Sequence, residues 1–324
     1  MAYVGNQARH LVGEWDENQP KLGSRLVADP NTDVNALRPY AGYSYIQDRA
    51  PIFTSNYNSL QINLNHRSSN GLTVGVSYTW SKVLTTNSVD RYGDLGNYVA
   101  YPTQNSYDIK ADYGPATFNQ PQSLIFNYVY TLPFFKGQHN LEGRFLGGWE
   151  VSGITTYTSG TSLTIVQPND PFACPTTTNA GGATVCDTNP ADGFVAGQGL
   201  RGLGIGSSGY GNKAARPNQV ARIAMTKKPL DWFSTSSFQT AEGAFGNVST
   251  GSMLGPDFQK WDIALAKNTK IGEHVNVQLR VESFDVFNHP NFFGIGTTMG
   301  STSFGTVTTD HEPRLLQMGG KIVF

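Results

Sequence analysis

The chain has 324 residues, of which 15% are charged, 38% hydrophobic and 12% aromatic, with 36 Gly and a formal net charge of -1. Its 23 Lys+Arg against 24 Asp+Glu leave no electrostatic footprint for nucleic acid and no basic run for an anionic lipid surface. Apolar runs fall well short of the roughly 20 residues that a helical span requires, so a helical membrane protein is excluded as well.

The N-terminus, MAYVGNQARHL, has neither a basic leader nor an apolar core, so no export signal is read there, and a protein working outside the cytoplasm would need a longer chain. Ala2 to Gln7 read as the weak tail of a strand. From Asn58 to Arg67, Leu60, Ile62 and Leu64 alternate with Gln61, Asn63 and Asn65, the period of two that sends successive side chains to opposite faces of a strand. A tight turn, Ser68 to Gly71, leads to Leu72, Val74, Val76, Tyr78 and Trp80 against Thr73, Gly75, Ser77, Thr79 and Ser81, and the two segments are expected to form a hairpin.

The same pattern recurs further on. Leu124, Phe126, Tyr128, Tyr130 and Leu132 alternate with Ile125, Asn127, Val129 and Thr131, and Trp149, Val151, Gly153, Thr155 and Tyr157 alternate with Glu150, Ser152, Ile154 and Thr156. Cys174 and Cys186 follow in a Gly/Thr/Asn/Pro-rich stretch with no histidine nearby; a disulfide closing a surface loop is favoured over two free thiols, and zinc would need more ligands. Trp261, Ile263 and Leu265 then alternate with Asp262, Ala264 and Ala266, and Val275, Val277, Leu279 and Val281 with Asn276, Gln278, Arg280 and Glu282. The chain closes on Leu316, Met318, Gly320, Ile322 and Phe324 against Gln317, Gly319 and Lys321.

Connections alternate in length. Roughly forty residues follow Lys82, roughly a hundred follow Tyr157 and about twenty-five follow Asn288, far beyond the 2 to 5 of a hairpin loop, whereas Ser68 to Gly71, Phe134 to Gly148 and Lys270 to His274 are short. Strands that run up and down then put every long loop on one side and every short turn, with Phe324, on the other.

A soluble sandwich hides its apolar face; a transmembrane barrel turns it to lipid. Strands of about 9 to 11 residues fit a tilted bilayer crossing, and the loop asymmetry is that of the outer membrane. Aromatic residues favour lipid: Trp80, Tyr157 and Trp261 fall near the long-loop ends, and Tyr130, Trp149 and Phe324 near the short-turn ends, as two interfacial girdles require. Asp285 is in phase with the lipid-facing residues, so the band must end by Ser283 or a bulge must change the register. The fold class is therefore all-β, an antiparallel up-and-down transmembrane β-barrel with about eight strands and long extracellular loops; that it is partial, a piece of a larger barrel, is what the resemblance described next implies.

The segments NYNSLQINLNHRSSNGLTVGVSYTWSKVL, FNQPQSLIFNYVYTLPF, GGWEVSGITTYTSG and FQKWDIALAKNTKIGEHVNVQLRVESFDVFNHPNF resemble the C-terminal half of the barrel of Oar-like TonB-dependent transporters, as do YVGNQARHL and the closing LQMGGKIVF. The alternation Leu316, Met318, Gly320, Ile322, Phe324 resembles the signal read by the barrel assembly machinery. The resemblance implies a barrel of about 22 strands with an N-terminal plug and an energy-coupling motif. It makes residues 1–324 a receptor-like barrel portion without plug or signal peptide, in contact with outer-membrane lipid. A TonB-type energy-coupling protein would be reached only through the missing plug.

Other signals carry less. Gly204, Gly206 and Gly209 match GxGxxG, but no strand precedes and no helix follows. Asp90, Asp94, Asp108 and Asp112 lack the spacing of a calcium loop and read as solvated carboxylates. His10, His66, His139, His274, His289 and His311 stand singly, as surface or lumen residues, and no nucleophile-plus-base set assembles. No enzyme, cofactor or nucleic-acid partner is expected. Arg280 and Glu282 project from one strand face and are expected to pair and stiffen the lumen wall. The resulting expectation is a wall segment of an energy-coupled uptake channel in the cell outer membrane, unable to transport alone. The competing readings are a soluble all-β carbohydrate-binding module and a self-closed eight-stranded pore or adhesin.

Overall fold

The computed structural model describes residues 1–87, 103–135, 138, 140–205, 215–272 and 275–324. His139, His274, Asp90, Asp94, Gly206 and Gly209 lie outside the described residues.

Eight long strands form one antiparallel sheet in which each pairs with its neighbours in the chain: β1 (Ala2–Asp16), β2 (Gln47–Arg67), β3 (Leu72–Thr85), β4 (Gln122–Thr131), β5 (Trp149–Thr158), β6 (Phe258–Ile271), β7 (Val275–Phe284) and β8 (Leu315–Val323). This is the up-and-down order. No pairing joins β1 to β8 among the described residues, so the sheet is open. Segments 17–46, 86–121, 159–257 and 285–314 connect strands at one end, and 68–71, 132–148 and 272–274 at the other. Gly71 closes the turn 68–71: it holds φ at +88°, where a side chain would be strained, and donates its N–H to Ser68 O at 3.3 Å.

Register keeps the faces apart over the whole sheet. Residues directly opposite one another share a face, and the rows read Leu64, Val76, Phe126, Thr155, Trp261, then Leu72, Tyr130, Val151, Leu265, Val281, Met318. The opposite face reads Asn63, Ser77, Ile125, Thr156, Lys260, then Thr131, Glu150, Ala266, Arg280, Gly319. A slip of one residue in any strand would invert its contribution. Along β3 the apolar face extends from Leu72 to Trp80; at about 3.3 Å per residue and a tilt of about 40° this covers roughly 20 Å, close to the apolar band of an outer-membrane barrel.

Two strands are longer than the alternation predicts. β1 continues past Gln7 because a bulge between Ala8 and Leu11, with His10 at φ 58°, shifts the phase and hides the continuation. β2 starts at Gln47, and its early half has no apolar side to mark it. Cross-strand polar contacts hold this extension: Arg49 Nε donates to Glu14 Oε1 at 3.1 Å, and Trp15 Nε1 to Asp48 Oδ2 at 3.0 Å. Asp285 is resolved by the first of its two options. β7 ends at Phe284; Asp285, at φ 54°, leaves the strand and donates its N–H to Asp262 Oδ1 at 2.9 Å.

The hydrophobic core lies in the long loops. Ile165, Trp232, Phe233, Phe238, Val248 and Met253 form one buried cluster, with Phe292 and Phe304 packed against it; Phe172, Leu203, Ile205 and Ala215 form a second.

Candidate functional site

The outward face carries apolar side chains left open on one side. Leu60, Val76 and Phe126 are half-buried, Leu64 and Leu279 are exposed, and none of them joins a buried cluster, so no dry interior gathers them. In water such a face would aggregate; in hydrocarbon it is solvated. Trp80 is exposed on this face, and Trp261 packs edge-on against Phe287 with ring centroids 5.6 Å apart. Tyr157 lies opposite Leu124, and Tyr130 opposite Leu72 and Val151. Above Trp80 the outward positions turn polar, with Lys82 opposite Asn58, which marks the upper limit of the band. At the other end, Trp149 stands opposite Lys267, whose ammonium lies 5.5 Å from the Trp149 ring centre. Leu316, Met318, Gly320 and Ile322 share the outward face with Ser283, Val281, Leu279 and Val277, and Phe324 follows the end of β8, 96% exposed.

The inward face is a wall of hydrogen-bonding side chains. Asn63 donates to Ser77 Oγ at 2.9 Å, Asn65 to Asn63 Oδ1 at 2.7 Å and Gln278 to Asn268 Oδ1 at 2.9 Å. Arg280 Nη2 lies 2.6 Å from Glu282 Oε1, and Lys260 Nζ 3.1 Å from Asp262 Oδ2. A groove of about 390 Å³ runs past Asn127, Ser152, Asp262, Arg280 and Glu282.

Above this wall the described parts of the four long segments pack together as a cap. Arg25, in 17–46, donates to Gly202 O and Leu200 O, both at 2.9 Å, and to Thr32 O at 2.6 Å. Burial lowers its guanidinium from the usual value, and Asp170 and Asp33 oppose that shift. Gln19 Oε1 accepts from Ser106 N at 2.7 Å, joining 17–46 to 86–121. Arg216 ion-pairs with Asp112, joining 86–121 to 159–257, and its backbone N–H donates to Gln104 Oε1 at 2.6 Å. Trp232 N donates to Gly305 O at 2.7 Å, joining 159–257 to 285–314. Cys174 and Cys186 are disulfide-bonded around a small hairpin, Thr176–Thr178 with Thr184–Cys186.

Asp170 anchors one turn of the cap by accepting the backbone N–H groups of Phe172, Leu203 and Ile205 at 2.8, 3.0 and 2.7 Å. Burial pushes its carboxyl above the usual range, and those donors hold the rise back. Beside it opens a cleft of about 580 Å³ lined by Asn169, Asp170, Gln198, Arg201 and Glu242.

One correction follows: Asp112 is not a solvated carboxylate but is buried against Arg216. The packing of the long loops on two buried clusters had no counterpart in the sequence reading. Sequence reasoning also passed over Lys267, although it stands in phase two residues after Leu265. The turn anchor at Asp170 had a local signal, the tetrapeptide Asn169-Asp170-Pro171-Phe172, in which an Asx side chain reaches the N–H two residues on.

Residues 1–317 match the family described as outer membrane beta barrel domain. The chain belongs to that family. Its outward band therefore faces the hydrocarbon of the outer membrane, where this domain resides, and the cap sits on the long-loop, extracellular side. No curated protein matches the domain in sequence. Among solved structures it is similar to the outer membrane transporter YddB from Escherichia coli, with 10% identity and a TM-score of 0.40 over 99% of this chain and 29% of that one. The domain thus spans under a third of that transporter's length.

Proposed function

We propose that this barrel domain is the C-terminal part of an Oar-like TonB-dependent transporter and forms the wall and outward loops of an energy-coupled uptake channel. The observation that carries the reading is the pairing of a predominantly apolar outward band with a packed cap of long loops over a polar wall. Passage is by binding and gating, without covalent chemistry; the cap cleft meets substrate first, and the Arg280–Glu282 pair stiffens the wall. β1 and β8 present unpaired edges, whose backbone groups would each lose several kcal/mol in hydrocarbon, and further strands of a larger barrel supply their partners. Energy coupling reaches the wall through a plug, and the C-terminal residues Leu316 to Phe324 address the chain to the barrel assembly machinery.

Two measurements test this. Cells carrying a whole transporter with this barrel portion should accumulate members of a panel of labelled peptides, oligosaccharides and ferric chelates only when the energy-coupling protein is present. Accumulation without that protein removes the coupling, and steady conductance of the isolated domain in a planar bilayer would instead favour the self-closed eight-stranded pore. Phe324→Ala should leave refolding in detergent unchanged, because the ring touches little, while lowering assembly in cells; unchanged cellular assembly removes the terminal signal.

A further inference from the structure

The connection between β4 and β5, residues 132–148, carries the short helix Leu141–Leu146 on the short-turn side, capped by Asn140 Oδ1 accepting from Gly143 N at 2.8 Å. Its far end is tied to the outward face of the sheet. Trp149 Nε1 donates to Phe145 O at 3.1 Å, and Lys267 Nζ donates to Arg144 O at 2.6 Å and also to Gly147 O. Trp149 and Lys267 are the paired residues of the outward row that continues to Leu279. Two side chains that project toward lipid thus hold the C-terminal carbonyls of the helix, which places it on the lipid side of the rim. Gln138 fixes the approach, donating to Asn268 O at 2.9 Å and accepting from Lys270 N at 3.0 Å.

What the helix then exposes is apolar. Leu141 is 74% and Phe145 76% exposed, and Leu146, Phe134 and Phe135 are exposed beside them, whereas Glu142 and Arg144 supply the polar positions. A surface loop in water gains nothing from five uncovered large apolar side chains. An element at the boundary of headgroups and acyl chains does, because it buries its apolar side shallowly and leaves charges among the headgroups. The patch is continuous with the lipid-facing band through Trp149.

We propose that Leu141–Leu146, with Phe134 and Phe135, is an interfacial anchor that inserts into the periplasmic phospholipid leaflet and sets the depth of the wall in the membrane. The proposal rests on the outward orientation of the apolar face and goes beyond any transport role. Lys267 serves it in a specific way: it ties its charge to helix carbonyls at the level where a bare ammonium on the lipid face would otherwise need water.

The test uses the full chain in vesicles of phosphatidylethanolamine and phosphatidylglycerol, with a spin label on Phe145→Cys and, separately, on Leu141→Cys, Leu279→Cys and Asn70→Cys. The native disulfide keeps the other two thiols out of the reaction. Labels at 141, 145 and 279 should relax with dissolved oxygen, and the label at 70, in the exposed turn, with an aqueous nickel chelate. Nickel accessibility at 141 and 145 with oxygen preference kept at 279 overturns the anchor alone; nickel accessibility at 279 as well overturns the outward-facing band with it. Shielding at 141 and 145 from both reagents overturns the lipid occupant, with spin–spin broadening assigning the patch to a second copy and its absence to packing within the chain. All four positions are exposed or half-exposed, so substitution is compatible with folding, and heat-modifiable migration checks each variant.

Discussion

Arg216 reaches a carboxylate 104 residues away in sequence, and both side chains are 7% exposed. A buried pair of this kind contributes little net stability compared with a well-packed apolar pair, but removing one partner strands the other's charge. Arg216→Ala should therefore cost the cap about 3–5 kcal/mol, whereas removing both charges together should cost less. Limited proteolysis of the refolded domain checks this: cleavage within 159–257 should accelerate in the single variant while the strands stay protected. Arg25 and Asp170 follow the same logic at neighbouring sites, each binding several backbone groups from a loop distant in sequence. Neither Arg216 nor Arg25 announces its partner locally, and Asp170 announces only the N–H of Phe172 two residues on. Cys174 and Cys186, twelve positions apart, were legible because the bond is short-range.

At the scale of the strand, the two faces have different solvents, and substitution should separate them. Val76 and Ser77 are neighbours on β3, the first in the row with Phe126 and Leu64, the second in the row with Asn63 and Ile125. Val76→Arg puts a cation against hydrocarbon near mid-band and should cost about 2–4 kcal/mol, whereas Ser77→Arg meets the wet face and should cost little. Urea titration of the domain in lipid vesicles compares them; equal costs would mean that both faces meet the same medium. The strands with an apolar side were readable because that side must alternate with a polar one. Those parts of β1 and β2 that rise above the band were not, since neither of their faces meets lipid. The six-residue helix Leu141–Leu146 escaped for a different reason: it is under two turns long, too short to display a helical period.

For the whole molecule, the sheet is stabilised by its surroundings and the cap by its own core, so the two should fail separately. Phe233 is fully buried and meets Phe304 and Phe238 edge-on, with ring centroids 5.4 and 5.9 Å apart. Phe233→Ala should cost the cap about 3–5 kcal/mol and expose its segments to protease while heat-modifiable migration of the barrel domain persists. Loss of both together would mean that cap and sheet form one cooperative unit.

The period of two, the parity of long and short connections and the placement of ring-bearing residues are local properties, and they determined an outer-membrane, up-and-down all-β domain before any coordinates. They suffice because a strand in lipid has one hydrocarbon side and one wet side, and the chain must write that difference residue by residue. The packed cap, the Asp112–Arg216 pair and the seat of the rim helix on Lys267 are contacts between residues far apart in the chain. Only the tertiary structure decided them, because a compact core formed by irregular segments leaves no repeating pattern in the sequence of any one of them.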